Sequence, residues 1–398
     1  MIGRLSLVAL IAFGLTSAVP AEPPPHDPAL GARVFDRAWG LVRDKYWDRA
    51  RIARDWQEAR ERFRARAVAA PDRRAFYTVL GEMLASLGDS HVYAIDPVQV
   101  EIGKARDAGE AEQGFGFAML PDDAGDWRVT RVRPATPAAR AGVEIGWQVE
   151  RVNDGDVDIN YQPQPGEQAR FLFRDESDAP HALTLAAERE EAEPLRRAQD
   201  LPGGILRVTL GGFDRGDDRW IAREIDRAAP TGLILDLRGN GGGDADVIAR
   251  VGGLFFADDR PLVWKLGRNE TIQRAPGAGD RAYSGALAVL VDGDSASGAE
   301  AVAALIQDSK RGIVVGARTA GSLTGAAYYR LPDGGELAVA EFDIRTPGGQ
   351  RLEGVGLTPS VELSPTLADR RAGRDPVLQR ALALVRSAAS SRRSPGSG

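Results

Sequence analysis

Ser297 is the residue around which chemistry could be organised. It lies in VDGDSASGAE, residues 291–300, between two segments of opposite character. Ahead of it, GALAVLVDGD (285–294) carries the apolar run of a buried strand; behind it, GAEAVAALIQDSKR (298–311) has helical apolar spacing. Ser297 therefore falls at a strand-to-helix junction, among residues small enough for a sharp turn. A hydroxyl placed there is lifted from the sheet edge and meets the N-terminal amides of a helix, which favour developing negative charge. That is the setting of an attacking nucleophile. It is equally the setting of an ordinary helix N-cap, and Ser297 alone does not separate the two.

A serine nucleophile needs a base and a site for the oxyanion. The sequence has three histidines, His26, His91 and His181. His91, in DSHVYAID (89–96), is the strongest candidate base by context, although a histidine closing a helix often has a purely structural role. LILDLRGNGGG (233–243) is a strand running into a glycine loop. It lacks the Gly-Lys-Ser/Thr of a phosphate loop, and Asp244 stands where a dinucleotide loop has its third glycine. Bare glycine amides suit an oxyanion hole; a simple tight turn is the alternative. RLEGVGLTP (351–359) offers Glu353, which by itself reads as a surface glutamate. The chain has no cysteine, which excludes thiol catalysis and thiolate metal sites.

The elements that must position these residues can be read along the 398-residue chain. MIGRLSLVALIAFGLTSAVPAEPPP has the Arg4 n-region and short apolar h-region of a secretory signal, cleaved before Glu22. A periplasmic or secreted protein is expected, with no integral membrane span in its mature form. Residues 28–89 are helical in pattern, with Asp72 as an N-cap and Gly88 as a stop. Residues 113–190 hold short strands around one short helix. Residues 200–365 alternate strands and helices, as in an α/β layer, and close with a hairpin turning at PDG. DPVLQRALALVRSAAS (375–390) is a final helix, before a tail expected to be disordered. A net charge of −6 gives no nucleic-acid signature, and nothing calls for a cofactor or metal.

Taken in order, LGDSHVY, DLRGNGGG, SASGAE and LEGVGLTP resemble the motifs of the tail-specific, C-terminal-processing serine peptidases. The resemblance spans nearly the whole mature chain. It implies a mixed α/β, multidomain (α+β) fold. The expected parts are a signal peptide at 1–21, a helical domain at 22–100 and a PDZ-like β-rich domain at 101–192. An α/β-sandwich core of the ClpP/crotonase type follows at 193–368, then a helix and tail at 369–398. QGFGF resembles a PDZ carboxylate-binding loop, which implies peptide binding by Gly114, Phe115, Gly116 and Phe117.

One departure bears on mechanism. The bacterial processing branch has a lysine 25 positions after its nucleophile, where this chain has Ser322. Lys310 sits beyond a helix rising ~1.5 Å per residue, roughly 20 Å from Ser297; Lys45, Lys104 and Lys265 have no motif placing them there. The tricorn-like branch uses Ser-His-Ser-Glu instead. The resemblance then implies Ser297 as nucleophile, His91 as base, Ser90 and Glu353 as the pair orienting the imidazole, and Gly298 with Gly242 or Gly243 as the oxyanion hole. A hydroxyl is too weak a base to replace the lysine, so loss of Ser322 should leave much of the turnover. The expected function is an exported serine endopeptidase acting on unfolded or C-terminally exposed proteins, of undefined oligomeric state. The alternatives are a catalytically inactive member binding a peptide or apolar ligand, and a scaffold whose PDZ-like module is the working part.

Overall fold

A computed structural model describes residues 27–107, 112–122, 124–153, 155–157, 163–190, 194–267 and 269–393. The proposed signal segment and the last five residues lie outside them.

The core is a six-stranded sheet in the order Val361–Glu362, Ile313–Gly316, Ala286–Val291, Gly232–Asp236, Ile205–Leu210, Arg196–Leu201. Its pairings are parallel except the last, which is antiparallel. The continuous apolar strands are explained by burial on both faces. Along Ala286–Val291, Leu287, Val289 and Val291 enter one apolar cluster with the helices Ala245–Gly253 and Gly298–Asp308. The alternate residues Ala286, Ala288 and Leu290 enter another with Val377, Ala381 and Val385 of helix Pro376–Arg393. Gly232 is glycine for this packing, since a Cβ there would lie 2.1 Å from Val385 Cγ1.

A second, all-antiparallel sheet lies against the first helical layer. Strand Glu336–Arg345 is its centre, pairing with Thr324–Arg330, Tyr93–Ile95 and Arg260–Leu266; Glu270–Ala275 pairs with the last of these. The hairpin at PDG forms as expected, with Leu331 N–H donating to Gly335 O (2.8 Å). The Arg260–Leu266/Glu270–Ala275 hairpin was not anticipated.

Three helices, Pro28–Lys45, Arg49–Val68 and Arg73–Ala85, form a bundle on this second sheet and share a core with Leu331, Leu337, Val339 and Ala340. Asp27, Asp48 and Asp72 accept backbone N–H bonds as their N-caps. Trp39 and Trp56 exchange indole N–H bonds to each other's carbonyls at 3.0 and 2.9 Å. Gly88, with φ +54°, turns the chain out of the bundle toward Asp89. A further helix, Pro97–Asp107, crosses the boundary expected at residue 100.

The middle segment folds as a five-stranded antiparallel sheet: Phe117–Pro121, Trp127–Val132, Gln148–Val152, Gln168–Arg174 and Pro180–Ala186. The short helix Pro137–Arg140 accompanies it. Phe115, Phe117, Phe171 and Phe173 fill its core with edge-to-face and stacked ring pairs. Among the described residues, no helix is long and apolar enough to cross a membrane.

Candidate active site

Ser297 begins helix Gly298–Asp308 directly after the turn that leaves strand Ala286–Val291. Its backbone is at φ +51°, ψ −110°, a sparsely populated conformation for a non-glycine residue. Strained strand-to-helix turns of this kind lift a serine hydroxyl clear of the sheet. The surrounding bonds hold the strain. Ser295 Oγ donates to Leu237 O (2.8 Å), and Ala296 N–H donates to Asn240 O (2.9 Å). Ser297 N–H is directed at Ser322 O (2.8 Å) and Glu300 Oε2 (3.1 Å).

The glycine loop lies against this turn. A Cβ on Gly242 would sit 2.8 Å from Ser297 Cβ, 3.0 Å from its Oγ and 3.1 Å from Gly298 N, so only glycine fits. Gly242 φ is +105° and Gly243 φ is +147°. Gly242 N–H, however, donates to Asn240 Oδ1 (2.8 Å), and Asn240 Nδ2 donates to Leu210 O (3.0 Å). That amide is engaged within the loop.

His91 belongs to the loop between the helical bundle and strand Tyr93–Ile95. Asp89, 8% exposed, pins this loop: Oδ1 accepts His91 N–H (3.0 Å) and the Thr324 hydroxyl (3.3 Å), and Oδ2 accepts from Tyr46 OH (3.2 Å) and Trp47 Nε1 (3.3 Å). Glu353, 4% exposed, approaches from the far end of the chain. Its Oε1 accepts Ser90 N–H (2.8 Å); its Oε2 accepts the Ser90 hydroxyl (3.0 Å) and Leu323 N–H (2.9 Å). Ser90 Oγ is also 2.8 Å from His91 Nδ1.

A serine hydroxyl has one proton. With it directed at Glu353, Ser90 Oγ faces the ring as an acceptor, so Nδ1 carries the imidazole hydrogen and Nε2 is left bare. That is the tautomer a general base requires. Burial pushes His91 below its ordinary pKa, opposed by the charges of Glu353 and Asp89. The neutral, proton-accepting form is thereby favoured near neutral pH.

Glu353, Ser90 and His91 thus form one hydrogen-bonded chain. Among the described residues, no hydrogen bond joins His91 to the Ser297 hydroxyl; the connection between the two runs through Ser322, whose hydroxyl donates to Ser90 Oγ (2.7 Å). No lysine takes part. Lys104 pairs with Glu101, Lys45 lies over the Tyr329 ring and Lys265 over Phe342, and Lys310 lies past the C-terminal end of the Ser297 helix. Ser360, in the closing motif, donates to Gln307 (2.7 Å). Among the described residues, no group of His, Cys, Asp and Glu is arranged to hold a metal ion.

Two organising residues were not singled out from the sequence. Asp89 is one. The other is Glu300, whose fully buried carboxylate accepts from Thr319 Oγ1 (2.5 Å), Gly321 N–H (2.9 Å), Ser322 N–H (2.9 Å) and Ser297 N–H. The signal for Glu300 was present: Ser297-Gly298-Ala299-Glu300 has the Ser-x-x-Glu spacing of a capping box.

In the β-rich segment, Gly116 has φ +88°, and a Cβ on it would lie 2.0 Å from Thr136 Oγ1. Phe115 O accepts Ala138 N–H (2.9 Å) and Gly116 O accepts Arg133 N–H (2.8 Å). Gly114 ends a short strand paired with Glu188–Glu190, and Phe117 begins the next.

An α/β core presenting a serine on such a turn, beside a glycine loop, defines a serine-type hydrolase. Comparison with known proteins narrows the class. Residues 204–363 match the family model described as Peptidase family S41, and residues 32–85 match the Tricorn protease C1 domain. The chain is 26% identical to a chloroplastic C-terminal processing peptidase of Tetradesmus obliquus, across 83% of this chain and 77% of that one. It is 28% identical to putative tricorn protease homolog 2 of Streptomyces coelicolor, across 90% of this chain but 32% of the much longer relative. The fold matches the photosystem II D1 C-terminal processing protease with a TM-score of 0.62 at 24% identity, covering 90% of this chain and 98% of that one. The chain is a serine-type peptidase whose residues 204–363 match peptidase family S41.

Proposed function

We propose that this chain is an exported endopeptidase that works through an acyl-enzyme on Ser297, with His91 as its base. The observation that carries the reading is the hydrogen-bonded chain Glu353–Ser90–His91, which leaves Nε2 as the basic nitrogen. Ser297 Oγ attacks the scissile carbonyl carbon as its proton passes to His91 Nε2. The tetrahedral oxyanion is met by the amides of Gly298 and Gly243. Collapse expels the amine with the proton from His91, and water then releases the acyl group by the same route in reverse. Glu353, through Ser90, stabilises the imidazolium that forms at each stage.

The substrates we infer are unfolded or C-terminally exposed polypeptides, in keeping with the C-terminal processing named for its relatives. The β-rich segment acts as a PDZ-like module that captures an extended peptide end at residues 114–117. Residues 1–21 direct export to the periplasm or beyond, and the chain divides into a helical part, a PDZ-like part, the α/β core and a closing helix, the first boundary lying past helix Pro97–Asp107 rather than at residue 100. The test is cleavage of unstructured peptides, together with labelling by a fluorophosphonate. Wild type is expected to cleave and to be labelled at Ser297, and Ser297→Ala and His91→Ala to do neither. Full cleavage by either variant would overturn the mechanism; peptide binding without cleavage by the wild type would favour a binding protein.

A further inference from the structure

Ser322 takes no part as a base, yet it touches both halves of the site. Its carbonyl accepts Ser297 N–H (2.8 Å), and its own N–H shares Glu300 Oε2 with Ser297 N–H. The Ser322 backbone is therefore fixed relative to the nucleophile turn. Its hydroxyl reaches across to the other half, donating to Ser90 Oγ at 2.7 Å. Ser90 belongs to the loop carried by the helical bundle, whereas Ser297 belongs to the core. Of the described contacts on Ser90, only this one leads to a residue bonded to Ser297.

Proton accounting sharpens the point. Ser90 Oγ donates its one proton to Glu353 and receives His91 Nδ1–H on one lone pair. The remaining lone pair receives Ser322. The Ser90 oxygen is then saturated, one proton given and two received.

We propose that Ser322 is a positioning residue for this peptidase, holding the Ser90–His91 loop in register with Ser297 through its hydroxyl. The proposal rests on the Ser297–His91 reading. It acts through Ser90, so it makes a prediction that a merely space-filling role does not.

The experiment uses the mature chain and an unstructured peptide substrate, with kcat and KM measured against pH for Ser322→Ala, Ser322→Thr, Ser90→Ala and the Ser90→Ala/Ser322→Ala double variant. Ser297→Ala and His91→Ala serve as controls. Removing one net hydrogen bond should lower kcat of Ser322→Ala by about tenfold with KM little changed. With the competing donor gone, the Ser90 oxygen accepts Nδ1–H more strongly, which should move the acid-side fall of kcat/KM upward. Ser322→Thr, which keeps the donor, should recover most of the rate and the wild-type pH profile. The double variant should be no slower than Ser90→Ala alone. Additive losses in the double variant, or wild-type kcat and pH profile in Ser322→Ala, would overturn the proposal while leaving the reading intact if the two controls are dead. Turnover by His91→Ala would instead remove the reading on which it stands. If Ser322→Ala does not fold, the Thr variant decides: folded but as slow as Ser90→Ala, it refutes the role of the donor.

Discussion

Glu353 and Ser90 lie 263 positions apart and are joined twice, Oε1 accepting the Ser90 N–H and Oε2 its hydroxyl. A carboxylate held in this two-point manner fixes both the backbone and the side chain of the residue next to the imidazole. Leu323 N–H adds a third donor from the loop after Ser322. Glu353 thereby binds the histidine loop to the core through the residue next to His91.

Glu353→Gln follows from this. From the sequence, the change is expected to keep shape and delete charge, with little effect on stability. The structure alters that expectation. Both Glu353 oxygens accept a backbone N–H, so a glutamine must set its NH2 against one of them. Turnover should fall by a factor on the order of 10³ or more, as when the acid of a serine triad is neutralised. Stability should fall by about 1–3 kcal/mol, the cost of leaving a buried donor unsatisfied. Paired kinetics and urea unfolding measure both. A fully active variant would reduce the site to a Ser297–His91 dyad.

The pH dependence has a defined sign. His91 is held below its ordinary pKa of ~6.5. The acid-side fall of kcat/KM, where the base protonates, should therefore be centred below pH ~6.5. The same shift acts on stability: the unfolded chain binds this proton more readily than the fold. The contribution of His91 is present above the unfolded pKa and is lost as pH falls through the folded one. His91→Ala should abolish the rate and flatten that part of the stability profile; a stability profile that His91→Ala leaves unaltered would contradict the second half.

Gly242 and Gly241 provide a matched pair. Alanine at Gly242 would press on Ser297 Cβ and Oγ and on Gly298 N, and would occupy φ +105°. Alanine at Gly241 meets nothing within 4 Å. Fluorophosphonate labelling should vanish for Gly242→Ala and persist for Gly241→Ala. Equal labelling of the two would show that the loop does not abut the nucleophile.

Glu300→Ala should be among the most damaging changes in the core. It strips partners from the backbone donors of Gly321 and Ser322 and from the Thr319 hydroxyl, and frees the Ser297 turn. A loss on the order of 3 kcal/mol or more is expected from several unsatisfied buried groups. Denaturant midpoints with an unchanged m value would register it. A variant as stable as wild type would mean water replaces the carboxylate.

What the sequence made legible were features whose signal is local. The apolar run before Ser297, the helical spacing after it, the glycine loop, the PDG hairpin and the Asp72 cap each depend on neighbours within one element. His91 stood out by context, whereas Ser90 and Glu353 emerged only through family motifs, because the two lie 263 positions apart. Asp89 and Glu300 escaped notice because their partners lie in distant segments and nothing local marks the burial of a carboxylate. The hairpin at Arg260–Leu266 was missed because its strands are partly exposed and carry arginine, lysine and glutamate, which blur the alternation of a half-buried strand. Ser322 was read through the base it cannot be, and its donor role became visible only with Ser90 in place.

Helix Pro376–Arg393 covers one whole face of the core sheet, with Val385 seated over Gly232. Ser297, His91 and Glu353 all precede this helix in the chain, so the sheet that carries the nucleophile turn has its second dry side only once this last helix docks. A chain cut before residue 376 would hold every residue of the site and still lack the backing behind the strained turn of Ser297.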